Sequence, residues 1–94
     1  TIIGCANQAG EDNRNLARMS LILAGFPHEV TGTTINRLCG SSLDAVIDAH
    51  SRIQAGIGEC FIAGGGESMS RAPYVMSKSQ SPFDRAQKIW DTSI

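Results

Sequence analysis

The chain is short of the features that announce most partners. Aromatic residues make up only 5% of its 94 positions, too few for the stacking platforms that bind single-stranded nucleic acid. Charge is sparse and nearly balanced, with 8 Lys and Arg against 9 Asp and Glu. No basic field therefore exists to draw in nucleic acid or an anionic membrane. No apolar run nears the roughly 20 residues that a bilayer span requires. The opening residues, TIIGCANQ, lack the basic start and long apolar core of a secretory leader. A cytoplasmic setting is the expectation. The chain does not begin with Met either, and it is expected to be a piece of something longer.

Cysteine is present but unpatterned. Cys5, Cys39 and Cys60 are an odd number at wide spacing, with no CxxC or CxxH pair among them. That argues against a disulfide framework and against a zinc site, so reduced thiols and no metal are expected.

What is there reads as alternating strands and helices. Ile2, Ile3, Cys5 and Ala6 open a short buried strand, broken by Asn7-Gln8-Ala9-Gly10. Glu11-Asp12-Asn13 forms an acidic helix start. Leu16, Met19, Leu23 and Phe26 follow at spacings of three and four, one apolar helix face, ended by Gly25 and Pro27. Thr31 to Ile35 is β-branched around one glycine and predicts a second strand. Leu43, Val46, Ile47 and Ile53 mark a second helical face, with His50 packed on it and Gly56 and Gly58 at its end. Cys60-Phe61-Ile62-Ala63 predicts a third buried strand that closes on Gly64-Gly65-Gly66. The order strand, helix, strand, helix, strand favours a parallel sheet with helical crossovers, an α/β fold. Residues 67–94 are rich in Ser, Pro and Lys and are expected to be mostly loop, anchored by Phe83 and Trp90.

Two motifs carry chemistry. In GTTINRLCGSS (residues 32–42), Cys39 falls where the second strand ends and the second helix begins. Ligand crevices in open α/β sheets form at that edge, and free N–H groups at a helix start favour a thiolate. Gly40 leaves room for a substrate to approach. Ser41 and Ser42 are equally suited to capping the helix, and an inert thiol buried in the turn fits the same residues. A thiol nucleophile needs a base, yet His28 lies in a loop and His50 on an apolar face. In AGGGESMSRAP (residues 63–73), the glycines lack the P-loop Lys and the dinucleotide spacing. A tight turn with Glu67 and Ser68 bonded to backbone is the stronger reading. Met69 to Met76 are candidates for an acyl or dimer surface. Cys5 and Cys60 are expected as small core residues.

GCANQAGEDNRNLAR, GTTINRLCGSS and AGGGESMSRAPYVM, in this order along nearly the whole chain, closely resemble the thiolases, the acyl-CoA:acetyl-CoA C-acyltransferases. NQAGEDNRN, with DTSI near the end, is most similar to members acting on 3-oxoadipyl-CoA and related degradative 3-ketoacyl-CoA substrates. The resemblance implies a thiolase-like layered fold, of which this chain is a fragment of one βαβαβ half, a mostly parallel sheet with helices on its faces. Residues 1–66 would carry the nucleophile, and residues 67–94 would begin the loop excursion used for substrate and oligomer contacts.

The same resemblance implies that Cys39 accepts the acyl group and lends its backbone N–H to an oxyanion hole. Asn36, Arg37 and Gly40 match positions that support its turn, Glu67 and Ser68 match a structural turn, and Met69 is a candidate substrate contact. Coenzyme A thioesters would be substrates with no further cofactor, and the whole protein would be a homodimer or homotetramer. Ser42 stands where the family usually has glycine, and Gly66 where Val or Met is usual. The family's activating His and second Cys come from its C-terminal half and are not in these residues, so the 94 residues alone are expected to be inactive. A strand preceding residue 1 in the family is expected between the strands at 2–6 and 60–64. A non-catalytic thiolase-fold module for assembly or CoA binding is the competing reading, and an unrelated Cys hydrolase is a third.

Overall fold

The computed structural model describes residues 1–8, 10 and 14–93. The expected helix start Glu11-Asp12-Asn13, together with Ala9 and Ile94, lies outside the described residues. In chain order the elements are β1 (Ile2–Gly4), α1 (Leu16–Leu23), β2 (Thr33–Ile35), α2 (Ser41–Gln54), β3 (Ala63–Gly65), β4 (Tyr74–Met76) and β5 (Ile89–Asp91). A single 3₁₀ turn spans Met69–Arg71.

The first three strands form a parallel sheet in the order β2-β1-β3. Ile2 pairs with Thr33 on one side and with Ala63 on the other. This corrects one expectation: β1 and β3 are direct neighbours, so no strand is missing between them. A further strand can join only at an outer edge.

Side chains alternate across a strand, and the two helices use this to cover opposite faces. Ile2 packs with Ala45 and Ala49 of α2, flanked by Ile35, Phe61 and Ala63. On the other face, the Thr34 hydroxyl accepts the Ala17 N–H at 3.0 Å and donates to Asn15 Oδ1 at 2.8 Å. Asn15 also caps α1 by accepting the Arg18 N–H at 3.1 Å. Both helices stop at a left-handed glycine, as their sequences suggest. Gly25 N–H reaches Ile22 O and Phe26 N–H reaches Leu21 O, and Gly56 and Ile57 repeat the pattern on Ile53 and Arg52.

Which side of each helix is buried differs from the periodic reading. In α1 the buried residues are Ala17 and Leu21, while Leu23 is 82% exposed and Phe26 is exposed too. In α2 the buried residues are Ser41, Ala45 and Ala49, and Leu43, Val46, Ile47 and Ile53 are exposed, as is His50. The cause is steric. An ideal Cβ on Gly4 would lie 2.3 Å from the carbonyl carbon of Ser41, so the helix backbone sits directly on the sheet. Only small side chains fit between them.

Two further expectations are corrected. Cys5 is buried, but Cys60 is exposed, because the strand begins three residues later at Ala63 and, of the apolar run before it, only Phe61 turns to the core. Residues 67–93 contain more than loop: β4 and β5 pair antiparallel, with Val75 opposite Trp90. Phe83 is 89% exposed and Trp90 half exposed, so neither anchors the segment. Polar contacts hold it instead. Asn7 Nδ2 donates to Thr92 Oγ1 at 2.8 Å, and that hydroxyl donates to Pro73 O at 2.6 Å. No helix is long and apolar enough to cross a membrane among the described residues.

Candidate active site

The residues between β2 and α2 form a tight turn whose backbone is held from several directions. Leu38 has φ +49°, a left-handed conformation that a Leu side chain disfavours. Its N–H donates to Asn36 Oδ1 at 2.9 Å, and Asn36 Nδ2 donates across to Ala6 O at 2.9 Å. The Ser41 hydroxyl accepts the Arg37 N–H at 2.8 Å and donates back to Leu38 O. Ser41 therefore braces the turn, and α2 has no side-chain cap: Gly40 occupies the cap position and the capping role expected of Ser41 or Ser42 is not used. Arg37 adds an ion pair to Asp44 in the first turn of α2, at 3.1 Å. Asn36 and Arg37 are the positions that the resemblance pointed to, whereas no residue-type signal in the sequence marks a left-handed Leu38.

This turn sets Cys39 one residue ahead of the α2 cap, exposed, at the carboxyl-end edge of the parallel sheet. That is the edge at which ligand crevices form. A cavity of about 830 Å³ opens there, and its lining includes Cys39, Ser42, Gly65, Glu67, Met69 and Thr92. Cys5 lies on its lining as well, from the end of β1. An inert thiol buried in the turn does not describe Cys39.

Glu67 has a definite task. Its two carboxylate oxygens accept the N–H groups of Ala6 and Asn7, each at 2.8 Å, and the Cys5 thiol lies 3.6 Å from Oε1. The carboxylate ties the chain leaving β1 to the chain leaving β3 and so closes one wall of the cavity. A backbone-bonding Glu67 was expected, but with partners in its own turn rather than sixty residues away. Ser68 precedes the 3₁₀ turn without a side-chain cap bond.

The histidines are elsewhere. His50 lies nine residues beyond Ser41 on α2, about 13 Å along the axis at 1.5 Å per residue. His28 is exposed in the loop after α1, and neither lines the cavity. The titratable side chains that do are Cys5, Cys39 and Glu67. Among the described residues no group of three His, Cys, Asp or Glu is placed to hold a metal ion.

Comparison with known proteins gives consistent relatives. The family model described as "Thiolase, N-terminal domain" matches residues 1–92. The chain is 66% identical over 93 residues to the beta-ketoadipyl-CoA thiolase of Acinetobacter baylyi, covering 99% of this chain and 23% of that protein. It is 63% identical over 93 residues to the 3-oxoadipyl-CoA/3-oxo-5,6-dehydrosuberyl-CoA thiolase of Escherichia coli, with the same coverage. Among solved structures, the Acat5 thiolase of Ascaris suum in complex with coenzyme A matches with a TM-score of 0.84 and 35% identity, over 97% of this chain and 23% of that one. The chain thus spans about a quarter of the length of the relatives it matches.

Proposed function

Because this chain belongs to the thiolase family, as part of its N-terminal domain, we propose that it is the nucleophile-bearing section of a longer acyl-CoA:acetyl-CoA C-acyltransferase. Cys39 is the nucleophile. In the degradative direction its thiolate attacks the C3 carbonyl of a 3-ketoacyl-CoA, and a tetrahedral oxyanion forms. Collapse breaks the C2–C3 bond, the departing carbon takes a proton, and acetyl-CoA leaves. The acyl group remains as a thioester on Cys39, and the thiol of a second CoA displaces it as acyl-CoA.

One observation carries the reading: an exposed thiol, fixed by a braced turn, at the mouth of a cavity on the carboxyl-end edge of the sheet. Its position ahead of α2 suits a role for its own N–H in oxyanion stabilisation. Asn36, Arg37 and Gly40 shape the turn, Glu67 sets the opposite wall with Ser68 leading on into the 3₁₀ turn, and Met69 contacts the acyl chain. Neither His28 nor His50 reaches Cys39, so the base that activates it comes from outside these residues. Residues 1–66 are the nucleophile-bearing part and residues 67–94 the start of a substrate and oligomer excursion. The substrate class is a 3-oxoadipyl-CoA-like thioester, in line with the names of the relatives from A. baylyi and E. coli. The whole protein acts as a cytoplasmic homodimer or homotetramer.

The test is thiolysis by the full-length protein. Supplied with 3-oxoadipyl-CoA and CoA, it should release acetyl-CoA and succinyl-CoA, and Cys39→Ala should lower the rate by about 10³-fold or more. A Cys39→Ala enzyme that keeps its rate would overturn the reading. A full-length protein that binds CoA thioesters without turning them over would favour the assembly module instead.

A further inference from the structure

Ser42 is the one side chain of the cavity that competes for space with a glycine. It lies three residues beyond Cys39, in the first turn of α2, and lines the same cavity. An ideal Cβ on Gly65 would fall 1.8 Å from Ser42 Oγ and 2.9 Å from Ser42 Cβ. The hydroxymethyl group of Ser42 therefore fills the volume in front of Gly65, and that volume holds one substituent, not two. Among the described residues no hydrogen bond engages the Ser42 hydroxyl, so its effect on the cavity is that of bulk.

We propose that Ser42 is a specificity-determining residue that limits the breadth of the acyl group Cys39 accepts. This rests on the reading of Cys39 as the acyl acceptor. With Ser42 in place, the wall formed by α2 and the end of β3 is filled in the same cavity that Cys39 lines. An acyl group that is unbranched next to its carbonyl passes this wall, and one that carries a branch there meets Oγ. Removing the side chain opens a recess floored by Gly65. A single methyl-sized change in such a recess shifts selectivity about tenfold.

The experiment follows the half-reaction in which Cys39 thiol and an acyl-CoA exchange to give acyl-Cys39 and free CoA. Full-length protein is offered equal amounts of acetyl-CoA and 2-methylpropanoyl-CoA, quenched in acid and digested. Mass spectrometry then gives the ratio of the two acyl groups on the Cys39 peptide. Ser42→Gly should raise the branched-to-acetyl ratio about tenfold. Ser42→Val, bulkier and without a hydroxyl, should hold the ratio at or below that of the unaltered protein. Circular dichroism confirms that each variant is folded, and Ser42→Gly introduces no clash. An unchanged ratio in Ser42→Gly overturns the proposal, and so does a Ser42→Val that follows Ser42→Gly, since a hydroxyl contact rather than bulk would then be responsible. If the unaltered protein takes neither group on Cys39, the acyl-acceptor reading itself fails and this proposal falls with it.

Discussion

Residues 1–66 and residues 67–93 are built on different principles. The first part has a core: Ile2 at 1% exposure and Ala45 at 0% lock α2 onto a three-stranded parallel sheet. The second part buries none of its side chains. It is a two-stranded ribbon and a 3₁₀ turn held to the first by hydrogen bonds, chiefly those of Glu67 to Ala6 and Asn7 and of Asn7 to Thr92. Burial gives the first part a fixed geometry, which a nucleophile needs. The second part supplies cavity wall through Met69 and Thr92 but relies on the first for its position. Such polar-tethered segments open locally at lower free energy than a packed core.

The largest expected effect lies where helix and sheet touch. Gly4→Ala would place a carbon within 2.3 Å of α2 backbone, which cannot yield as a side-chain tip can. We expect a loss of about 3 kcal/mol or more, read as a shift in the urea midpoint of the full-length protein. A shift below one third of that would mean that the close approach is not structural.

Next comes the tether. Glu67→Gln keeps the shape but replaces one of the two accepting oxygens with a donor, leaving Ala6 or Asn7 N–H without its acceptor. The expected cost is about 1–2 kcal/mol, with hydrogen exchange quickened in residues 67–93 and unaltered in β1 and α2. Uniform quickening across both parts would erase the distinction between them.

Phe83→Ala should do almost nothing, within about 0.5 kcal/mol, because the side chain is exposed and packs on no core. The smallest effect concerns Asp91. The Ser93 hydroxyl donates to its carboxylate at 2.6 Å and the Ser93 N–H at 2.9 Å, and these bonds lower its pKa below the usual carboxylate value. A depressed carboxylate stabilises the folded ribbon above its unfolded pKa, and that contribution fades as pH falls through the lowered folded value. An NMR titration should show the Asp91 midpoint rising in Ser93→Ala. An unmoved midpoint would show that the hydroxyl bond does not lower it.

Much of the first part was legible from sequence, and the reasons the rest was not are physical. The three strands and two helices of residues 1–66 show in their apolar runs, and the helix ends in Gly25 and Gly56. Periodicity, however, reports where apolar residues gather, not which side of a helix meets the sheet. In α2 the bulky stripe of Leu43, Val46 and Ile47 faces away, because the contact at Gly4 admits only Ala45, Ala49 and Ser41. The strand at Ala63 was placed too early because Cys60 to Ile62 are apolar without being buried. The ribbon of β4 and β5 escaped notice since its three-residue strands are separated by residues 77–88 and have no tight-turn signal between them. At the site, the dense motif around Cys39 was readable as a strand-to-helix turn. The brace from Ser41 to Leu38 and the reach of Glu67 to β1 depend on contacts that spacing along the chain does not encode.

On the proposed function, the packed part presents Cys39, and not Cys5 or Cys60, as an acyl acceptor. Incubating the folded full-length protein with acetyl-CoA alone, quenching in acid and mapping the peptides tests it most directly. One acetyl group is expected, on the peptide that carries Cys39, removed again when free CoA is added. Acetyl on Cys60, which is also exposed, or no thioester on any cysteine, would overturn that reading.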